Sequence, residues 1–329
     1  MKNQAANPLS WQSQHPEKLP DFIIGGAMKS GTTTVHKILE SHPDVAFAHE
    51  ELGFFDMDDW LQHPDFNYFD SKKNQWYAPL LMKDNVLWNW YYSQFPERSN
   101  KTLIGEDSTT YLTSSRVAER LAMQHKPIKV IFVLRHPTKR CISNYLHAVK
   151  SGRAFDTFEN TLKYNPHSII KRSLYKEQLE VYYKHLPANQ IKVILFEDLV
   201  SNKRQTVQDL CDFLGLDVTK IPSETYNLHA NKTKIPKYFK LQIWRNRILR
   251  SNRDGLYVQK ILAKSIVKKP SVLARLFNAF HKKINPLQST RTFLVNSETE
   301  QLLDAYFKSA LKGIDELTQT TILGRWFKD

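Results

Sequence analysis

The sequence predicts an α/β protein, a doubly wound parallel sheet flanked by helices, with a basic helical segment toward the C-terminus. Three features point there. Short apolar runs recur along the chain and read as strands buried on both faces, the clearest being KVIFVL over Lys129–Leu134. Stretches with helical spacing of apolar residues separate those runs. The 329 residues, 41% of them hydrophobic, are enough to fill one large core.

Taken in order, FIIGGA over Phe22–Ala27 is the first strand, followed at once by MKSGTT and a helix over Thr34–Ser41. A second strand, Val45–Ala48, leads into the acidic and aromatic EELGFFD, and a third, Lys101–Gly105, into EDSTTY. A helix over Ser114–Gln124 precedes the run Lys129–Leu134, which stops at Arg135, His136 and Pro137. Helices over Pro137–Lys150 and Ile169–His185 are followed by a strand at Ile191–Phe196 and a helix over Arg204–Leu214, with Gly215 as its stop. From Pro236 the strand pattern ceases, and the chain reads as helices through the basic segment and then Ser297–Gly313. Residues 1–20 read as a flexible polar lead-in without the apolar core of a targeting sequence, and 21–329 as a single domain.

Composition narrows the function. No apolar stretch approaches the roughly 20 residues that cross a bilayer. Two cysteines, Cys141 and Cys211, give neither a disulfide scaffold nor a Cys-based zinc cluster, and a reducing, cytoplasmic location is expected. The net charge is +14, and Pro236–Asn285 holds 13 Lys or Arg against one acid, Asp254, so most of the excess lies there. Large apolar residues at helical spacing (Phe239, Trp244, Ile248, then Leu256, Ile261, Leu262 and Ile266) make that segment amphipathic as well as basic. It reads as a solvated face, a lid for an acidic acceptor or a peripheral contact with anionic membrane; nucleic acid is not expected, and the oligomeric state stays open.

The turn after the first strand carries the chemistry. In a βαβ unit such a turn points backbone N–H groups at the place where an anion also meets the helix N-terminus. Lys29, Ser30, Gly31, Thr32, Thr33 and Thr34 add one cation and four hydroxyls to it. Gly26 and Gly31 bracket four residues as in GxxxxGK[ST], so the turn is P-loop-like, yet position 32 is Thr where that motif has Lys. The run Lys129–Leu134 ends in Arg135, where an NTPase wants a carboxylate to help hold Mg²⁺. A cation there repels the metal and attracts a second phosphate. The residues thus describe a site for a nucleotide with two separate phosphate groups and no required metal, or else merely a tight βα connection. A P-loop kinase, which would need Mg²⁺, and a non-catalytic anion or membrane-surface binder are the alternatives.

FIIGGAMKSGTTTVHKIL, VIFVLRHPTKRCISNY and RSLYKEQLEVYYKHLP with IKVILFEDL together resemble the sulfotransferases that use 3'-phosphoadenosine 5'-phosphosulfate (PAPS), from about Phe22 to Phe327. HPDVAFAHEELGFFD and GEDSTTYLTSSRVAERL resemble the bacterial and carbohydrate or heparan-type members. The resemblance implies that Lys29–Thr34 hold the 5'-phosphosulfate and that Arg135 and Ser143 hold the 3'-phosphate. It further implies that Tyr175 lies near the adenosine, unless it is a buried helix tyrosine, and that Arg291 belongs to a late basic loop over the 3'-phosphate. The acceptor would be a hydroxyl or amine of a saccharide, glycolipid or small natural product. Glu51, in EELGFF, matches the glutamate base of the heparan-type enzymes, and Lys29 would assist the leaving group; as a residue, Glu51 could equally be a surface acid. Glu106 and Asp107 form a second candidate pair for the base. Heparan-type relatives carry Lys where Asp107 stands, so a second leaving-group lysine is missing there.

Overall fold

The computed structural model describes residues 10–63, 68–70, 74–77, 84–97, 102–227, 234–249, 272–289 and 293–327. Its centre is a five-stranded sheet of β1 (Phe22–Gly26), β2 (Val45–Phe47), β5 (Leu103–Asp107), β6 (Lys129–Leu134) and β7 (Ile191–Leu195). The order is β2-β5-β1-β6-β7 and every pairing is parallel. Side chains of one strand alternate between faces, so β1 and β6 feed two cores. Ile23, Val130, Phe132 and Leu134 join one, with Tyr91, Tyr111 and Tyr182. Phe22, Ile24, Ile131 and Val133 join the other, against Val35, Ile38 and Leu39 of α1 (Thr32–Glu40) and Val207 and Leu210 of α9 (Lys203–Leu214). Burial on both faces is why these strands are apolar throughout.

Connections leaving β1 build the sheet toward β2, while those leaving β6 build it toward β7. A crevice therefore opens above the C-terminal ends of β1 and β6, where open α/β sheets hold ligands. The helix α4 (Pro137–Lys150) leaves β6 beside it.

Several elements differ from the sequence reading, each for a local reason. β5 runs on through Glu106 and Asp107, in register with Ile23 and Ile24, although two acids read as the end of a strand. Buried partners hold them there: hydroxyls around Glu106 and His36 beside Asp107. The expected helix over Ile169–His185 is two helices, α6 (His167–Ile170) and α7 (Tyr175–His185), because the Ile169 carbonyl that would accept the Ser173 N–H accepts instead from Arg140 Nη2 at 2.6 Å. Residues 10–20 pack on the domain where a flexible lead-in was expected: Trp11 lies under the Arg120 guanidinium, 3.5 Å from ring to carbon, and Ser13 N–H donates to Gln124 Oε1 at 3.0 Å. A hairpin of β3 (Tyr68–Asp70) and β4 (Gln75–Tyr77) and the helix α2 (Asp84–Ser93) were not anticipated.

The basic segment is an excursion closed at its base. β8 (Ile235–Pro236) pairs antiparallel with β9 (Leu287–Gln288), and Asn285 clamps both ends by accepting from Tyr238 N–H at 2.6 Å and donating to its carbonyl at 3.0 Å. Between them lie α10 (Phe239–Leu249) and α11 (Val272–Ile284); Leu256, Ile261, Leu262 and Ile266 lie outside the described residues. Wholly buried Asn246 docks α10 on the domain through the Val149 and Ala154 carbonyls, at 2.8 and 2.9 Å. The helix α12 (Ser297–Ala310) follows. No helix among the described residues is long and apolar enough to cross a membrane.

Candidate active site

A cavity of about 660 Å³ occupies the crevice, lined by Lys29, Gly31, Thr32, Thr33, Thr34, Glu51, Arg135 and Ser143 of the expected set. Three turns of chain bring them together. The loop after β1 closes with Lys29 and Gly31 both at positive φ, 71° and 96°, which turns the backbone into α1. Gly31 is also required by space, since a Cβ there would stand 2.7 Å from the Phe196 ring that walls the cavity. The Thr34 N–H already donates to the Gly31 carbonyl at 2.9 Å, but the Thr32 and Thr33 amides before it have no preceding turn to accept them, so an anion at this end meets those two N–H groups.

Arg135 follows β6 directly. Its Nη1 donates to the Lys29 carbonyl at 3.2 Å and its guanidinium lies 4.7 Å from the centre of the Phe196 ring, which fixes the fork beside the first loop. Its Nε is buried without a partner. Ser143 lies two turns along α4, on the same side. Burial pushes the Lys29 ammonium below the ordinary lysine range; Lys150, Arg135 and Arg153 push the same way, and Glu51 opposes them. Glu51 stands at the mouth, exposed, accepting from Thr109 Oγ1 at 3.2 Å.

Two members of the expected set lie elsewhere. Ser30 is wholly buried and is not among the residues that line the cavity; its N–H is bonded to the Ala27 carbonyl at 3.1 Å. Tyr175 is wholly buried too and donates to the Arg135 carbonyl at 2.9 Å, supporting the arginine from behind where an adenosine contact was expected. Arg291 lies outside the described residues.

The second acidic pair also leaves the cavity. Glu106 is wholly buried and accepts from Tyr91 Oη and Tyr111 Oη, both at 2.5 Å, and from Ser108 Oγ at 2.7 Å. Burial raises its carboxyl to about 7, the three hydroxyls holding the rise back. Asp107 faces α1, with Oδ2 3.5 Å from His36 Nδ1. Neither lines the cavity.

Sequence reasoning missed Thr109, His147, Lys150, Phe196 and Lys234 in the lining. His147 and Lys150 were within reach of it, four and seven residues beyond Ser143 on one helix and so on its face. Among the described residues, Lys29, Arg135, Lys150 and Lys234 against Glu51 give the lining a net charge of +3 with His147 neutral. Such a wall holds polyanions. No group of three His, Cys, Asp or Glu among the described residues is placed to hold a metal ion.

Fold and cavity together define an α/β protein that binds a phosphorylated ligand at the switch point of its sheet. The model of the sulfotransferase family matches residues 20–220, and the chain belongs to that family. It is similar to the mouse heparan sulfate glucosamine 3-O-sulfotransferase 5, 25% identical over 276 residues that cover 80% of this chain and 70% of the relative. The human heparan sulfate glucosamine 3-O-sulfotransferase 3B1 is 27% identical over 226 residues, 66% of this chain and 51% of that one. In fold it is similar to a sulfotransferase from Alicyclobacillus acidocaldarius, at a TM-score of 0.61 and 20% identity over 94% of this chain and 98% of that one. The protein is a PAPS-dependent sulfotransferase.

Proposed function

We propose that Glu51 is the general base, that Lys29 assists the leaving group, and that Arg135 with Ser143 holds the 3'-phosphate of the donor. One observation carries this assignment: Lys29, Arg135 and Ser143, far apart in sequence and two of them cations, line one cavity with Glu51 as the one acid among its described residues. The cavity suits the donor on its own terms, since the buried Arg135 Nε lacks a partner and the lining is cationic. PAPS supplies a sulfuryl group that passes to the acceptor oxygen or nitrogen as its bond to the 5'-phosphate breaks, leaving adenosine 3',5'-bisphosphate (PAP).

The chain's residues handle the charge of that exchange. Glu51 takes the acceptor proton, and Thr109 orients its carboxylate from the other side. The Lys29 ammonium neutralises charge that grows on the departing phosphate oxygen. Burial, and after it three cationic neighbours, make the positive charge costly until an anion enters, so donor binding itself favours the protonated lysine. The amides of the first loop and the hydroxyls of Thr32, Thr33 and Thr34 hold the 5' side, and the Arg135 fork holds the 3' side.

For the acceptor we propose an acidic, glucosamine-containing saccharide, after the heparan sulfate glucosamine named for the relatives. Its support here is a second cavity of about 810 Å³ that shares Met28 with the first. Arg153, Lys171 and Arg172 line it, with Tyr164 and Phe155 exposed at its edge as faces for sugar rings. Burial lowers the Arg172 guanidinium to about 10 and leaves Nη1 without a partner, a donor suited to a carboxylate or sulfate. Its acid Asp156 is already engaged by Thr157 N–H and Asn160 Nδ2, each at 2.9 Å.

Calorimetric titration with PAP and AMP tests the donor assignment. The wild type binds PAP well above AMP, and Arg135→Ala loses about 1.5–3 kcal/mol for PAP, tenfold or more, with little change for AMP. Equal affinity of the wild type for the two nucleotides would sink the assignment.

A further inference from the structure

The helix α11 turns its greasiest side to solvent. Val272, Leu273, Leu276, Phe280 and Ile284 recur at helical spacing along one stripe, and Leu273, Leu276 and Phe280 are 79, 62 and 64% exposed. The opposite side holds the helix to the protein: His281 is buried against Asn285, Asn278 Oδ1 accepts from Arg245 Nε at 2.9 Å, and Phe277 meets Trp244 edge-on at 5.9 Å. On α10, Trp244 and Ile248 are themselves about half exposed and extend the apolar surface. A surface of this size on a water-soluble face marks a contact.

Charge says with what. Residues 235–249 and 272–289 carry seven Lys or Arg and not one Asp or Glu. Arg275, Lys282 and Lys283 flank the apolar stripe on the same helix. A second copy of the chain docking through this face would set Arg275, Lys282 and Lys283 against the same three, a repulsion that no acid on the helix relieves. An anionic lipid surface answers both features at once, the apolar side chains entering the boundary of headgroups and acyl chains and the cations meeting lipid phosphates and carboxylates.

We propose that α11, with the exposed edge of α10, is an interfacial helix that docks the enzyme on anionic membrane. The helix lies in the plane of the surface; at 13 residues it is about 20 Å long, short of a bilayer core. The docking surface is joined to the active site by β8, whose pairing with β9 follows α11 and which begins one residue after Lys234 of the cavity lining. The inference stands apart from the assignment of the donor site, because none of its residues lines that cavity.

Co-sedimentation of the full-length protein with vesicles of phosphatidylcholine, with and without 30% phosphatidylserine, tests it. Binding to the anionic vesicles should exceed binding to neutral ones at least tenfold and weaken as salt is raised from about 0.1 to 0.5 M. The triple change Leu273→Ser, Leu276→Ser, Phe280→Ser should lower it tenfold or more, and Lys282→Gln with Lys283→Gln should lower it by a similar factor while flattening the salt dependence. PAP affinity of each variant serves as the measure of folding and should not move. Failure of the wild type to bind anionic vesicles overturns the proposal, as does vesicle binding that survives the triple change. Micromolar self-association that the triple change abolishes overturns it as well, assigning the face to a second copy of the chain.

Discussion

Glu51 and Glu106 lie at the ends of neighbouring strands and finish in opposite surroundings. Glu51 follows β2, stands exposed at the cavity mouth and takes one hydroxyl from Thr109. Glu106 lies on β5, wholly enclosed, with the hydroxyls of Tyr91, Tyr111 and Ser108 filling its acceptor sites. Of the two, Glu106 has the near-neutral carboxyl, raised to about 7 by burial, that is often sought in a general base. It has no route to a substrate. In the proposed assignment access decides which carboxylate works, and the perturbed one is a structural joint between β5, α2 and the turn at Tyr111.

The largest effect that sharpens this contrast belongs to the cavity side. Removal of the Lys29 ammonium takes away the charge proposed to meet the leaving group, so Lys29→Ala should lower kcat by about 10²–10³. PAP affinity should fall much less; an equal loss in both would make Lys29 a binding residue only.

Next comes the buried side, read through stability. The ordinary glutamate value is 4.5 and the folded value of Glu106 about 7, so between those pH values the folded protein keeps a proton that the unfolded chain has lost. The stability this confers is complete below about pH 4.5 and is lost as pH rises to about 7. Glu106→Gln should lower the urea midpoint, at a cost of about 1–3 kcal/mol for a buried group that no longer suits three donors. It should also flatten the decline between pH 4.5 and 7. An unchanged slope would mean that Glu106 is not the group that titrates there.

The smallest effect concerns Ser143, a neutral donor beside a charged one. Ser143→Ala should weaken PAP binding by about 0.5–1.5 kcal/mol, a few-fold, against tenfold or more for Arg135→Ala. A larger loss for the serine would reverse their order.

Much of this was legible in the sequence because it depends on short-range pattern. The run Lys129–Leu134 fixes β6, its end fixes Arg135, and the helix from Pro137 then carries Ser143, eight positions after Arg135, to the same side. What the pattern hid depends on tertiary partners. Ser30 sits in the right loop, but positive φ at Lys29 and Gly31 turns its side chain inward. Tyr175 reads as a ligand contact or a core residue equally well until its hydroxyl is seen on the Arg135 carbonyl. On sequence alone β5 ends before Glu106, because no linear pattern shows that the hydroxyls of Tyr91 on α2, Ser108 and Tyr111 converge on that carboxyl. Lys234 reaches the cavity from a segment whose placement no local signal gives.

The central claim is that the exposed carboxylate, Glu51, does the proton transfer and the buried one does not. The direct measurement is PAP release from PAPS with glucosamine-containing oligosaccharides as acceptors, with turnover normalised to PAP-binding sites for wild type, Glu51→Gln and Glu106→Gln. Glu51→Gln should lose roughly 10²–10⁴ in turnover with PAP affinity intact, while Glu106→Gln stays within a few-fold of wild type per binding site. Near-normal turnover in Glu51→Gln, together with its loss in Glu106→Gln, would contradict the account.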